Sequence, residues 1–249
     1  NNNINYNTYN VGIGTFKPIS KLHLYDYLAN ETKLIIQNNY ISAGITSSPS
    51  ATSSGTTGNY TYMVFTYTTD TAGTGTGQSL YTLNVESGGL ICDILMVGGG
   101  GAGGKDIGAG GGGGAVLYGT NINIPSNTYE IRVGNGATEG QTIGKSTTGF
   151  GATILGGGCA GNANWGANPT LANSGGSGAG GKAYWGVGSS PSTLVAGGVG
   201  VSTKGTILTT ATLYNGNVGG TAVQQVGGNP IQSAGGGGAG AVGGNGNGS

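Results

Sequence analysis

The stretch Asp93–Asp106, DILMVGGGGAGGKD, runs an apolar strand into glycines, and Gly98, Gly100 and Gly103 fit G-x-G-x-x-G. In a dinucleotide-binding turn such glycines let the backbone approach a pyrophosphate, and the following helix presents its N-terminal amides to the phosphates. That chemistry needs a helix after the glycines and usually an acid about 20 residues further on for the ribose. Here the sequence continues KDIGAGGGGGAVLYG, which cannot start a helix, and no Asp or Glu stands between Asp106 and Glu130. In a chain with 59 glycines the pattern also recurs by chance. The motif reads as one piece of a glycine-built architecture.

The other reactive constellations fail for similar reasons. A phosphate-binding loop needs G-x-x-x-x-G-K-[ST], but GNGATEGQT has Gln141 in the Lys position and GGSGAGGKA has Ala183 in the Ser/Thr position. His23 is the sole histidine and lies in the alternating run Lys21–Tyr25, where a structural role is expected rather than a place in a Ser-His-Asp triad. One His with two distant cysteines, Cys92 and Cys159, cannot make a Cys/His metal cluster. The two cysteines are expected to be separate packed thiols, although their spacing does not decide whether they meet. Eight acids are scattered without a paired arrangement, and Asp93, inside an apolar run, is expected to face solvent or bond backbone. The sequons at Asn30 and Asn59 fit glycan acceptors on a eukaryotic secretory route, or chance in an Asn- and Thr-rich chain. No catalytic residue, cofactor or metal ligand is nominated.

Trp165, Tyr184 and Trp185 lie in the most Gly- and Asn-rich stretch. Exposed aromatics beside amides can bind a sugar by stacking plus hydrogen bonds, so these three are the candidate contacts for a host-surface glycan or protein receptor. The plainer reading, in which they wedge between Gly segments as local core, is preferred for them.

Composition sets what must hold such residues. Charged residues make up 6% of the 249 and the net charge is zero, which gives no electrostatic reason for nucleic acid or an anionic membrane as partner. No stretch approaches the roughly 18 apolar residues of a membrane helix. Ten of the 59 glycines precede Gly98, so the chain has two regimes with a boundary near Val97. A strict G-X-Y period is absent, which excludes collagen. Apolar islands such as GAVLYGTNINI and GKAYWGVG interrupt the glycines and look placed for burial, unlike a disordered linker. The chain opens NNNINYN without Met, and is expected to be a segment of a longer one.

Along the chain, residues 1–41 read as a short N-terminal strand segment, residues 42–59 (SAGITSSPSATSSGTTGN) as a Ser/Thr/Gly linker, and residues 60–249 as a glycine-rich β domain. Within that domain, Tyr60–Thr69, Leu80–Val85 and the apolar run Leu90–Val97 predict strands. The last suits a buried one, and a hairpin-type loop is expected between the first two. Beyond Val97, strand-like islands alternate with Gly runs and no helical period appears; Gly costs about 1 kcal/mol per helical position relative to Ala. The fold class is all-β: a β-sandwich-like region, then short strands. The Gly runs 98–104, 110–114 and 235–240 are either plain loops or extended threefold polyglycine-II helices packed side by side.

Two segments carry a resemblance. NVGIGTFKPISKLHLYD resembles the NVGIGT-x-x-P-x-x-KLHI segment of phage tail fibres and related surface fibres, over Asn10 to about Tyr25, with Phe16-Lys17 where Thr-Thr or Thr-Asn is commoner. CDILMVGGGGAGG, GGGGGAVLYGTNINIPSNTYEIRVGNGA and FGATILGGG are similar to the glycine-rich domain of fibre and surface proteins of bacteriophages and large DNA viruses of protists, over Tyr60 to about Gly244. The C-terminal chaperone domain of many tail fibres, with its catalytic Ser, is absent from these residues. The resemblance implies a non-enzymatic structural and attachment protein on a virion surface, self-associating as a homo-oligomer such as a trimer, with loops that touch a host-surface glycan or protein. The alternatives are a secreted, extracellular matrix, filament or adhesive protein of the same construction and, more remotely, a fibre-borne polysaccharide depolymerase.

Overall fold

The structure is a computed structural model and describes residues 4–7, 10–13, 22–24, 44–58, 60–73, 75–104, 108–138, 142–160, 172–181, 193–194, 197–223 and 233–246. The chain divides into two compact units, Asn1–Ile41 and Ser42–Ser249. In the first, β1 (Ile4–Asn7) and β2 (Asn10–Ile13) form an antiparallel pair, and β3 (Leu22–Leu24) runs parallel to β2, with His23 opposite Gly12.

The second unit holds β4 (Ile45–Ser48), β5 (Ser53–Thr57), β6 (Tyr60–Val64), β7 (Gln78–Val85), β8 (Leu90–Val97), β9 (Val116–Ile124), β10 (Asn127–Gly134), β11 (Thr147–Gly149), β12 (Ala152–Ile154), β13 (Thr193–Leu194), β14 (Thr212–Tyr214) and β15 (Ala222–Val223). No helix occurs among the described residues, and the fold class is all-β. A five-stranded sheet runs in the order β12-β11-β10-β7-β4 and a three-stranded sheet in the order β14-β9-β8. Within both sheets every pairing is antiparallel.

Period-two patterning explains how the two sheets share a core. In β7, Ser79, Tyr81, Leu83 and Val85 point inward; in β10, Tyr129 and Ile131 do so while Glu130 faces solvent. Their partners include Met96 of β8, Leu117, Ile122 and Ile124 of β9, Ile154 of β12, and Leu208. Each such aliphatic side chain gains about 1.5–3 kcal/mol by leaving water. Three hydroxyls in this core are paired: Ser79 Oγ donates to the Thr69 carbonyl at 2.6 Å, the Tyr81 hydroxyl to the Thr66 carbonyl at 2.7 Å, and the Tyr129 hydroxyl to the Pro125 carbonyl at 2.8 Å.

Three expectations change. Residues 42–59 are not a bare linker. Ile45 packs on the core and β4 pairs with β7, while β5 pairs with β6. Threonine's β-branching and the single well-placed Ile outweigh the Ser/Gly content there. Second, β6 and β7 lie in different sheets and do not pair as a hairpin, although the loop between them is closed as expected: the Thr71 and Ala72 amides donate to the Gln78 carbonyl, and the Thr68 and Thr69 amides to Ser79 Oγ. Third, β8 is buried on one face alone: Ile91, Leu95 and Val97 are exposed, so its continuous apolar run does not denote two covered faces.

The glycine runs form a second kind of core, built from backbone. The amides of Gly98, Gly101 and Gly104 donate to the carbonyls of Ala115, Gly112 and Ala109, while Gly99 and Ala102 donate to Lys145 and Thr142. Gly157 and Ala160 donate in turn to the carbonyls of Gly99 and Ala102. Each register steps by three. A β-strand bonds in two opposite directions with period two; a threefold extended helix without internal hydrogen bonds turns its backbone groups to several neighbours with period three. Segment 109–115 accordingly bonds to segments 98–104, 155–160, 177–180 and 234–237. The Gly segments 98–104 and 109–115 are therefore bonded laterally to their neighbours with period three, whereas the run 235–240 ends in a turn in which the Gly238 amide donates to the Ala241 carbonyl.

Glycine is required by this approach. A Cβ on Gly112 would meet the Ser177 carbonyl oxygen, and one on Gly157 the Gly112 carbonyl oxygen, each nearer than real Cβ atoms come. The hydrogen that occupies that direction points at the oxygen, a Cα–H···O contact of the kind found between close-packed backbones. Gly100 and Gly238 face open space, and Gly113 would make an ordinary contact. Ala fits where a neighbour leaves room, as at the fully buried Ala160 and Ala179.

Candidate interaction surface

The G-x-G-x-x-G glycines begin the first of the laterally bonded segments. The amides that would have met a phosphate, those of Gly98, Gly99, Gly101 and Ala102, each donate to a neighbouring carbonyl at 2.9–3.2 Å. An amide spent in this way offers nothing to an anion. Asp93 lies exposed on β8, and its Oδ1 accepts the Asn121 amide at 3.0 Å. Asn121 has φ 53° and belongs to a bulge in which two residues of β9 oppose one of β8. Asp93 thus bonds backbone, caps an irregularity in the sheet and also faces solvent, as expected for it.

Other reactive groups are similarly committed. Asp70 accepts the Thr76 hydroxyl at 2.6 Å, and that bond holds its carboxyl below the usual range. Both cysteines are free thiols. Burial, aided by the Asp93 charge, pushes Cys92 up to about 11, so it is protonated near neutral pH. Cys159 is fully buried and its Sγ accepts from Asn173 Nδ2 at 2.9 Å. Arg132 and Glu130 form an ion pair of 2.9 Å on the outer face of β10, and such exposed pairs contribute about 0–1 kcal/mol. No group of three or more His, Cys, Asp or Glu that could hold a metal occurs among the described residues. Trp165, Tyr184 and Trp185 lie outside the described residues, as do the sequon asparagines Asn30 and Asn59.

What the described residues do present is apolar surface. On the outer face of the three-stranded sheet, Ile91, Leu95 (65% exposed) and Val97 of β8 stand beside Tyr118 of β9 and Tyr214 of β14. Leu95 is directly opposite Tyr118, and Val116 separates Val97 from Tyr214. Opposed pairs are about 4.5–5.5 Å apart at Cβ, so these side chains form one patch. A second exposed set is carried by the two-stranded ribbon β5–β6, where Tyr60 (78% exposed), Tyr62 and Val64 share a face. The Tyr62 ring lies over Gly55 on the opposite strand. A lone two-stranded ribbon is marginal in water.

Sequence reasoning missed the sheet face because an apolar run reads the same whether one or both faces are covered. The interruption at Asp93 was the available signal, since a fully covered strand leaves no room for a carboxylate. Searches across family models, curated proteins and solved structures found no match to the chain.

Proposed function

We propose that this chain is a non-enzymatic structural and attachment protein: a viral surface fibre or capsid-associated component that assembles with copies of itself and contacts a host-surface glycan or protein. The observation that carries the reading is the period-three lateral bonding of the glycine segments. It supports a rigid body in which backbone groups are mutually satisfied and neither charge nor a large apolar core is needed. Such a body offers a protease few accessible peptide groups and suits load-bearing in the open. The phage and protist-virus resemblance of Asn10–Tyr25 and Tyr60–Gly244 supports the viral setting. The commitment of Asp70, Asp93 and the amides of Gly98, Gly99, Gly101, Ala102 and Gly104 to structure supports a role without catalysis.

Antibodies against the purified chain test the reading on particles from the source. Surface labelling of intact particles, with loss of their adsorption to host cells, is the expected result. Labelling of an extracellular matrix instead of particles would favour the secreted cellular filament. Cleavage of a host polysaccharide by the purified chain would overturn the non-enzymatic reading.

A further inference from the structure

We infer that the outward glycine face formed by Gly100, Gly103 and Gly136 takes an extended, threefold glycine segment of a second copy of this chain. The inference rests on the self-assembly proposed above and names a surface that performs it.

Period three gives segment 98–104 three faces, and two of them are filled. The amides of Gly98, Gly101 and Gly104 are spent on segment 109–115, and those of Gly99 and Ala102 on Lys145 and Thr142. The third face carries Gly100 and Gly103, both exposed, whose amides donate to no carbonyl among the described residues. Segment 135–137 runs beside it. The Ala137 amide donates to the Gly100 carbonyl at 2.8 Å, and a Cβ on the exposed Gly136 would sit 3.8 Å from the Gly100 nitrogen. Glycine at 136 thus keeps the Gly100 amide uncovered.

Nothing within the molecule asks for glycine at these three positions. None has a positive φ. A Cβ would meet nothing within 4 Å at Gly100, and its nearest contact would be an ordinary 3.4 Å at Gly103 and 3.8 Å at Gly136. Glycine loses more conformational freedom on folding than alanine does, and alanine is used where the lattice leaves room, as at Ala160 and Ala179. A close approach from outside accounts for three glycines gathered around unspent amides.

Spacing selects the occupant. A threefold extended helix rises about 3.1 Å per residue, so the Gly100 and Gly103 amides stand roughly 9 Å apart. One small anion cannot bridge them. A β-strand repeats on one face every roughly 6.5 Å and falls out of step. A second threefold chain repeats at the same interval, and it must lack side chains on that face to come as near as segment 155–160 comes to segment 109–115. A copy of this chain carries such a segment on its outside. There the Gly243 and Gly246 amides bond inward to the Val218 and Thr221 carbonyls, again three apart, and leave Gly244 exposed with nothing within 4 Å of its Cβ direction.

Hydrogen exchange and sedimentation velocity of the 249-residue chain, each over a concentration series, test the docking. As the parent associates, exchange at the Gly100 and Gly103 amides should slow by about tenfold or more. The double variant Gly100→Ala, Gly103→Ala should keep the parent's circular dichroism and associate more weakly, on the order of tenfold or more. Association undiminished in the folded double variant, or exchange at both amides that stays fast in the associated parent, would overturn this docking, place self-assembly elsewhere and leave the functional reading standing. A parent that is monomeric at every concentration would overturn both.

Discussion

Two halves of the second unit solve the same problem with opposite materials. The sandwich excludes water with side chains: Leu117, Ile122, Ile124 and Ile154 fill the space between sheets that stand apart. The glycine lattice excludes it with main chain, drawing segments so close that a methyl group has no place at Gly112 or Gly157. The first is stabilised mainly by apolar transfer, the second by reciprocal hydrogen bonds and dense backbone contact. One is damaged by taking atoms away and the other by adding them.

The largest expected effect tests the first half of that contrast. Leu117→Ala opens a cavity in the sandwich and should lower stability by about 2–5 kcal/mol, read from chemical denaturation. The reverse operation tests the lattice. Gly112→Ala should cost about 1–3 kcal/mol, although it adds a single methyl to a residue of high helix cost and low bulk. If Gly112→Ala were neutral, the close approach of segments 109–115 and 177–180 would be wrong. Ser177→Ala sharpens the point at the same contact. The Ser177 hydroxyl is fully buried without a hydrogen-bond partner, so its removal should stabilise by roughly 1 kcal/mol in the same assay.

Two smaller effects follow. Cys92 has its folded value raised from 9.0 to about 11. The folded state therefore holds the proton more tightly than the unfolded one. Its contribution to stability is fully present below pH 9 and falls away as pH rises toward 11. A thermal-unfolding series from pH 8 to 11 should show that decline, and Cys92→Ala should reduce it. Smallest of all, Gly100→Ala enters open space and should change stability by less than about 0.5 kcal/mol. A large loss there would break the link between lattice position and glycine requirement.

The same contrast governs what could be read from sequence. Tyr81, Leu83 and Val85, like Tyr129 and Ile131, announce themselves by period two, because side chains encode the sheet face they occupy. The absence of helix among the described residues was legible from glycine density. The lattice was legible only as an alternative to loops: every residue of a run such as Gly110–Gly114 looks alike, and the threefold register lies in backbone groups that glycine does not distinguish. Residues 42–59 read as linker because Ser and Thr report solubility, while Ile45 alone reports burial. The surface candidates divide similarly. Trp165, Tyr184 and Trp185 were chosen by residue type, whereas the patch of Leu95, Tyr118 and Tyr214 exists only once β8, β9 and β14 are side by side.

The sequence distance between bonded glycines has a consequence for how the chain reaches this state. Gly110 and Gly113 take partners at Ala234 and Gly237, at the far end of the glycine-rich half. β9 and β10, in contrast, follow one another and pair with β8 and β7 from the neighbouring stretch of chain. Contacts of long sequence separation must meet the entropy of loop closure before they are rewarded. The sandwich can thus form early and act as a template, while the lattice closes last and slowly, when the segment containing Ala234 arrives. During synthesis the glycine runs leave the ribosome without their partners, and a chain cut short before residue 234 would hold a finished sandwich beside a lattice with one side missing.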